Sequence, residues 1–245
     1  MRIFLRCGKG SLPLRESEKK NSGPDETGPS CYNHGMFKGK FITFEGPDGS
    51  GKTTVSTAVV EALKELGYPV RYTREPGGSV IAEKIRTIIL DPAHTEMDAR
   101  CEALLYAAAR AQHLNDIVLP ALEQGIHVIC DRFTDSSIAY QGFARGLGAE
   151  GVRLINQFAT SGFMPEKTIY LDLPAEIGLQ RMHTRDRAND RLDNEGIAFH
   201  TAVCRGYEQV KKEAGDRMVV IDASAPEQTV IEEAIRKVRE ILDAG

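Results

Sequence analysis

The chain has 245 residues, 41% of them hydrophobic, and a formal charge of −4. That is long enough for one sizeable α/β domain. The composition gives no sign of a nucleic-acid or membrane surface as partner, and no apolar run approaches the roughly 18 residues that span a bilayer. Five cysteines (Cys7, Cys31, Cys101, Cys130, Cys204) lie scattered without metal-ligand spacing, which fits a reducing, cytoplasmic location with Cys130 as a buried thiol.

In chain order, residues 1–35 stand apart. From Ser11 to Gly35 the segment is rich in Ser, Pro, Gly, Glu and Lys and shows no helical or strand period. It cannot bury enough apolar surface to offset its ordering entropy, and residues 1–6 are too short for a signal-peptide apolar region. A disordered extension is expected, with one domain over 36–245 beginning near Met36. Residues 40–45 read as a first strand and 53–66 as a helix. Residues 69–73 are a second strand, followed by a helix over 79–90 with Val80, Ile81, Ile85, Ile88 and Ile89 as its apolar positions. Residues 98–119 read as one long helix stopped by Pro120. Strands three to five fall at 126–130, 167–171 and 217–221. Each strand is followed by a helix-length segment, so a five-stranded parallel sheet covered by helices on both faces is expected. A charged insertion near 183–195 is the one interruption.

Between the first strand and its helix, Gly46, Pro47, Asp48, Gly49, Ser50, Gly51, Lys52 and Thr53 match G-x-x-x-x-G-K-[ST] at every fixed position. The glycines let the loop curl so that backbone N–H groups face inward, and the helix start adds free N–H groups and a positive dipole end. Lys52 supplies a point charge for outer phosphates, and the Thr53 hydroxyl suits Mg²⁺. The bland alternative, a Gly-rich turn with an incidental lysine, does not explain the strand and helix flanks. A bound nucleoside triphosphate is the expectation.

Ligands of open α/β sheets sit at the carboxyl ends of the strands. There the sequence places Arg74-Glu75-Pro76-Gly77-Gly78, Asp131-Arg132-Phe133, Asp172 and Asp222-Ala223-Ser224. Asp131 stands where such proteins keep the carboxylate that faces Mg²⁺. Arg132 could clamp a second phosphate bidentately, which a hydrolase acting through water does not need. Tyr106 and Arg110, four apart, share a helix face; they suit a base, or are a core tyrosine beside a solvated arginine. The insertion holds Arg181, Arg185, Arg187 and Arg191. It is either a solvated loop or a lid bringing arginine onto a transferring phosphate.

Three strings together resemble bacterial thymidylate kinases: Phe44 to Thr54, Thr73 to Gly78, and Asp131-Arg132-Phe133-Thr134-Asp135-Ser136-Ser137-Ile138-Ala139-Tyr140-Gln141-Gly142. The resemblance runs over about residues 37–243. It implies a P-loop nucleoside monophosphate kinase fold, transfer of the ATP γ-phosphoryl group to dTMP with Mg²⁺ in the route to dTTP, and a homodimer. It puts residues 46 to 54, Thr54 included, and Arg181 on ATP, and Asp48 near the acceptor's 3′-hydroxyl. Arg132 then holds the acceptor phosphate, Tyr106 stacks on thymine, and Arg110, Ser137 and Gln141 contact the base. Tyr140 crowds the ribose 2′ position; Glu75, Pro76, Arg86 and Ser136 belong to the dTMP side; and Thr53 and Asp131 serve the metal. Some members carry a basic residue where this chain has Gly49, and those without it carry arginines in the lid, for which Arg185, Arg187 and Arg191 are candidates. Phe133 and Tyr106 depart from the usual tyrosine or histidine and phenylalanine, respectively.

Two other readings stay open on sequence: a kinase for another nucleoside monophosphate, and a GTPase switch. Against the second, the guanine-reading N-K-x-D string is absent, and the D-x-x-G match at Asp193-Asn194-Glu195-Gly196 falls outside a strand end.

Overall fold

The computed structural model describes residues 37–184 and 190–244. The expected extension over 1–35 and the lid candidates Arg185 and Arg187 lie outside the described residues. The five strands form, as β1 (Phe41–Glu45), β2 (Val70–Arg74), β3 (His127–Asp131), β4 (Lys167–Asp172) and β5 (Met218–Asp222). All pairings are parallel, in the order β2-β3-β1-β4-β5. Most run one residue further than their apolar stretches indicate, so Arg74, Asp131, Asp172 and Asp222 are the last strand residues rather than the first loop residues.

Successive side chains of a strand face opposite sides of the sheet, and both sides are covered. Ile42 and Phe44 pack with Val55, Val59 and Leu63 of α1 (Lys52–Glu65) and with Val238 of α9 (Glu227–Asp243). Phe41, Val128 and Cys130 pack on the other side with Leu114, Val118, Leu122 and Phe163. A third cluster joins Tyr140, Tyr170, Val203 and Tyr207 beneath α8 (Ile197–Ala214). Cys130 is buried and free, as expected. Among the described residues, no helix is long and apolar enough to cross a membrane.

The remaining helices are α2 (Val80–Leu90), α3 (Ala99–His113), α4 (Leu119–Glu123), α5 (Thr134–Ser137), α6 (Ala149–Thr160) and α7 (Ala175–His183). The long helix expected over 98–119 forms and continues to Glu123, with a π-helical turn inside it. Asp98 caps α3, accepting from the Arg100 amide at 3.0 Å, but α3 ends at His113. A π-helical turn, Leu114–Val118, then leads into α4. Pro120 does not stop the helix, which passes through it on leaving the π-helical turn. A second π-helical turn, Ile138–Ala144, carries Tyr140 and Gln141. The string at 193–196 lies in the turn before α8, away from any strand end.

β1 is central, and the strand order reverses across it, which opens a crevice at its carboxyl end. Register puts Phe44 beside Asp131 of β3, so the first strand and the Asp-Arg turn finish together. The loop after β1 is pressed against α7. A Cβ at Gly49 would come within 2.6 Å of the Gly178 Cα, and a Cβ on Gly178 would strike the Asp48 carbonyl oxygen. Gly49 also has φ of 84°. The loop therefore has no room for a side chain at this position. Gly178→Ala is expected to lower the unfolding free energy by about 1–3 kcal/mol through overpacking. Gly151→Ala, on α6 with open space around it, should be neutral or stabilising by about 0.5–1 kcal/mol. Urea melts of the two variants check this.

Candidate active site

A cavity of about 370 Å³ opens at the carboxyl ends of β1 and β3. One end is walled by Gly49, Gly51, Lys52, Thr53 and Thr54 of the phosphate loop, the other by Tyr106, Arg110, Ser137 and Gln141. Asp48, Asp131, Arg132, Ser136 and Tyr140 line it between them, with Glu75, Pro76 and Arg86 along one side. The sequence-predicted residues from four separate segments thus meet in one space.

The loop is built as its motif requires. Gly51 has φ of 84°, the left-handed region that favours glycine. The Ser50 amide donates to the Pro47 carbonyl at 3.2 Å. Lys52 Nζ donates to the same carbonyl at 2.8 Å and to Ser50 Oγ at 3.4 Å. Burial and the nearby Arg132 charge lower the Lys52 pKa to about 8 against the pull of Asp48, Asp131 and Glu45. Thr53 Oγ1 donates to Asp131 Oδ2 at 2.6 Å, while the buried Asp131 Oδ1 has no partner among the described residues.

Arg132 is the centre of the site. It is a non-glycine residue at φ 74°, so the turn that presents it is strained and must be held. Its Nη2 donates to Asp48 Oδ1 and to Tyr140 Oη, and its Nη1 donates to Ser136 Oγ at 3.2 Å and the Gly46 carbonyl at 3.4 Å. Its Cζ stands 4.9 Å from the centre of the Tyr140 ring. Tyr140 Oη also donates to Asp48 Oδ2 at 2.8 Å. Burial pushes the Asp48 carboxyl up, but the charges of Arg132 and Lys52 and the Tyr140 hydroxyl outweigh it and hold the pKa at about 2.

Behind Arg132 lies Glu45, which sequence reasoning missed as a site residue. Its carboxylate is fully buried and accepts from the Phe133 amide at 2.7 Å, the Ser136 amide at 3.2 Å, Ser136 Oγ, and Tyr207 Oη at 2.8 Å. Those bonds fix the turn that carries Arg132. The available signal was a glutamate ending an otherwise apolar strand. Burial and the charge of Asp135 raise its pKa to about 7 against the bonds from Ser136 and Tyr207 and the Arg132 charge.

The far end of the cavity holds a second network. Arg110 is 1% exposed. Its Nε donates to Glu75 Oε2 at 2.8 Å, its Nη1 to Ser137 Oγ at 3.1 Å and to Asn156 Oδ1, and its Nη2 to the Phe133 carbonyl at 3.0 Å. Four of its five N–H groups are used, leaving one. Glu75 therefore holds Arg110. His113, also missed, bonds Glu75 Oε1 at 2.9 Å and Thr73 Oγ1 at 2.7 Å. Its place three residues beyond Arg110 was the clue. A Cβ at Gly78 would meet the His113 ring at 2.6 Å, which explains the second glycine of the Gly77-Gly78 pair. Arg86 Nη1 donates to the Pro76 carbonyl at 2.8 Å.

The arginines beyond β4 divide. Arg181 Nη1 donates to the Ala223 carbonyl at 3.0 Å at the end of β5, off the cavity. Arg191, offered above as a lid arginine, is turned away from the phosphate loop. It is nearly buried, with Nε on the Ile89 carbonyl at 2.9 Å and Nη2 on Glu102.

Fold and loop define a nucleotide-binding α/β protein of the P-loop class. The thymidylate kinase family model matches residues 44–235. A thymidylate kinase from Geobacillus sp. (strain WCH70) is 53% identical over 208 residues, 84% of this chain and 99% of that protein. One from Pediococcus pentosaceus is 55% identical over 209 residues, 84% of this chain and 98% of that protein. The crystal structure of thymidylate kinase from Ehrlichia chaffeensis aligns with a TM-score of 0.66 at 32% identity, covering 82% of this chain and 98% of that one. The chain belongs to the thymidylate kinase family and is a phosphotransferase.

Glu45 keeps its proton to higher pH in the folded state than in the unfolded chain, so the folded state binds more protons between its ordinary value of 4.5 and about 7. Its contribution to stability therefore falls as pH rises through that window. The melting temperature of the wild type relative to Glu45→Gln is expected to drop between pH 5 and pH 7, measured by calorimetry in both proteins.

Proposed function

We propose that this chain transfers the γ-phosphoryl group of ATP to dTMP, giving dTDP. The observation that carries the reading is the one continuous cavity, with a phosphate loop at one end, the arginine–tyrosine–glutamine wall at the other, and Arg132 between them. Phosphoryl transfer through a loose transition state needs positioning and charge neutralisation more than covalent chemistry. Lys52 neutralises the transferring group, and Arg132 aligns the acceptor phosphate for in-line attack. Asp48, kept ionised by Arg132 and Lys52, accepts from the acceptor's 3′-hydroxyl. The Tyr106 ring stacks on thymine, and the one free N–H of Arg110 reaches an exocyclic oxygen of the base. No general base is required, because a phosphate monoester with a second pKa of about 6 is largely dianionic at neutral pH.

Mg²⁺ fits the pair of Thr53 and Asp131, whose buried Oδ1 lacks a protein partner. An ion held by one carboxylate, one hydroxyl and nucleotide phosphates is normal for magnesium. It would supply charge neutralisation on the outer phosphates.

A homodimer is part of the proposal. The neighbouring helices α2, α3 and α6 leave Val80, Ile81, Leu104, Leu154 and Phe158 exposed, Phe158 at 90%. A second copy is the occupant that an isologous apolar face suits. Phe158→Glu is expected to give a monomer by light scattering where the wild type is a dimer; a monomeric wild type contradicts this. Residues 1–35 are proposed to be dispensable for catalysis in a cytoplasmic enzyme.

Release of ADP with ATP and a panel of monophosphates tests the activity. Turnover is expected with dTMP above dUMP and the ribose analogue of TMP, and Lys52→Ala should abolish it. ATP hydrolysis independent of any acceptor would contradict the assignment. Because kcat/KM reports the free enzyme, its value for ATP should fall as pH rises through about 8, where Lys52 loses its charge.

A further inference from the structure

Glu102 lies on α3 one turn before Tyr106 and is completely buried. Its carboxylate accepts from three side chains. Arg145 donates through Nε to both oxygens, at 3.3 and 3.2 Å, Arg191 donates through Nη2, and Gln141 donates through Nε2 to Oε1 at 2.8 Å. Arg145 is in turn tied to Glu195 and lies 4.7 Å over the Phe199 ring, so the carboxylate is clamped from two sides.

The clamp decides which way the Gln141 amide points. Guanidinium groups only donate, so both Glu102 oxygens are acceptors. Facing them, the amide must present its NH₂, and its carbonyl oxygen is turned away. That oxygen has no hydrogen bond to another described residue, and Gln141 lines the base end of the cavity with Tyr106 and Arg110. An amide oxygen there accepts from an N–H and opposes another acceptor. Thymine and uracil carry N3–H; cytosine carries an unprotonated, accepting N3.

We propose that Glu102 is a positioning residue for base choice: by holding the Gln141 amide with its oxygen toward the cavity, it selects pyrimidines that carry N3–H and rejects cytosine. This rests on the proposed reading of the cavity as a dTMP site. Arg145 and Arg191 act on that choice through Glu102. This gives Arg191 a task in the acceptor site.

In Glu102→Gln the new side chain can turn its own NH₂ toward Gln141, whose amide then reverses and offers N–H groups to the cavity. The test is steady-state kcat/KM for dTMP, dUMP and dCMP at saturating ATP, in the full-length wild type, Glu102→Gln and Glu102→Asp. In Glu102→Gln the dTMP:dCMP ratio should fall by at least about tenfold, the scale of one misplaced buried hydrogen bond. The dTMP:dUMP ratio should stay within about twofold, since both bases carry N3–H, and KM for ATP should not move. Glu102→Asp, which keeps the charge and the arginine pairing, should lie between, and it is the variant to read if Glu102→Gln does not fold by circular dichroism. A loss that leaves the dTMP:dCMP ratio at its wild-type value in the folded variants overturns the proposal and makes Glu102 a structural residue only. A wild type without dTMP kinase activity overturns the functional reading, and with it this inference.

Discussion

The ion pair between Arg132 and Asp48 is the constraint on which the site depends. It joins the phosphate loop after β1 to the turn after β3, and it is possible because register ends those two strands side by side. Both groups are largely removed from water, where an unpaired charge is costly; breaking such a pair by removing one partner typically costs about 3–5 kcal/mol. Arg132 also sits in a backbone conformation that L-residues avoid. The surrounding hydroxyls of Ser136, Tyr140 and Tyr207, and Glu45 behind them, compensate for both. On the proposed reading, an acceptor phosphate arriving at Arg132 meets a guanidinium already oriented, so little ordering remains to be done on binding.

The same device recurs at each part of the cavity. A carboxylate largely removed from water holds a cationic or amide group, and that group lines the cavity. Asp48 holds Arg132, Glu75 holds Arg110, and Glu102 holds Gln141. Glu75 was assigned from its motif as a dTMP-side residue; its oxygens are occupied by Arg110 and His113. Carboxylates in an acceptor site for an anion would otherwise repel it. Here the Asp48 and Glu75 oxygens are engaged by Arg132, Tyr140, Arg110 and His113, which offsets their charge at the cavity wall.

Much of this was legible in the sequence. Strand positions followed from short apolar runs, and the phosphate loop from spacing that only one backbone geometry satisfies. The convergence of Asp131, Arg132, Ser137 and Gln141 followed from strand-end placement and family resemblance. The rest was hidden for physical reasons. Propensity does not reveal a π-helical turn, so the rewinding after His113 and the one that carries Gln141 were not foreseen. Glu102 and His113 lie in no motif, Glu45 precedes the fixed positions of the phosphate loop, and a buried polar residue is indistinguishable from a solvated one until its partners, up to 162 residues away in the case of Tyr207, are in place. Arg191 shows the converse: one of three candidate lid arginines in a charged run, it is folded inward onto Glu102.

The central claim is that Arg132 is the acceptor-phosphate clamp, with the donor held separately by the phosphate loop. Initial-rate kinetics of Arg132→Ala, varying dTMP and ATP in turn, test it most directly. The account predicts a raised KM for dTMP and a reduced kcat, with KM for ATP close to wild type. Unchanged dTMP kinetics, or a defect confined to ATP, would contradict it.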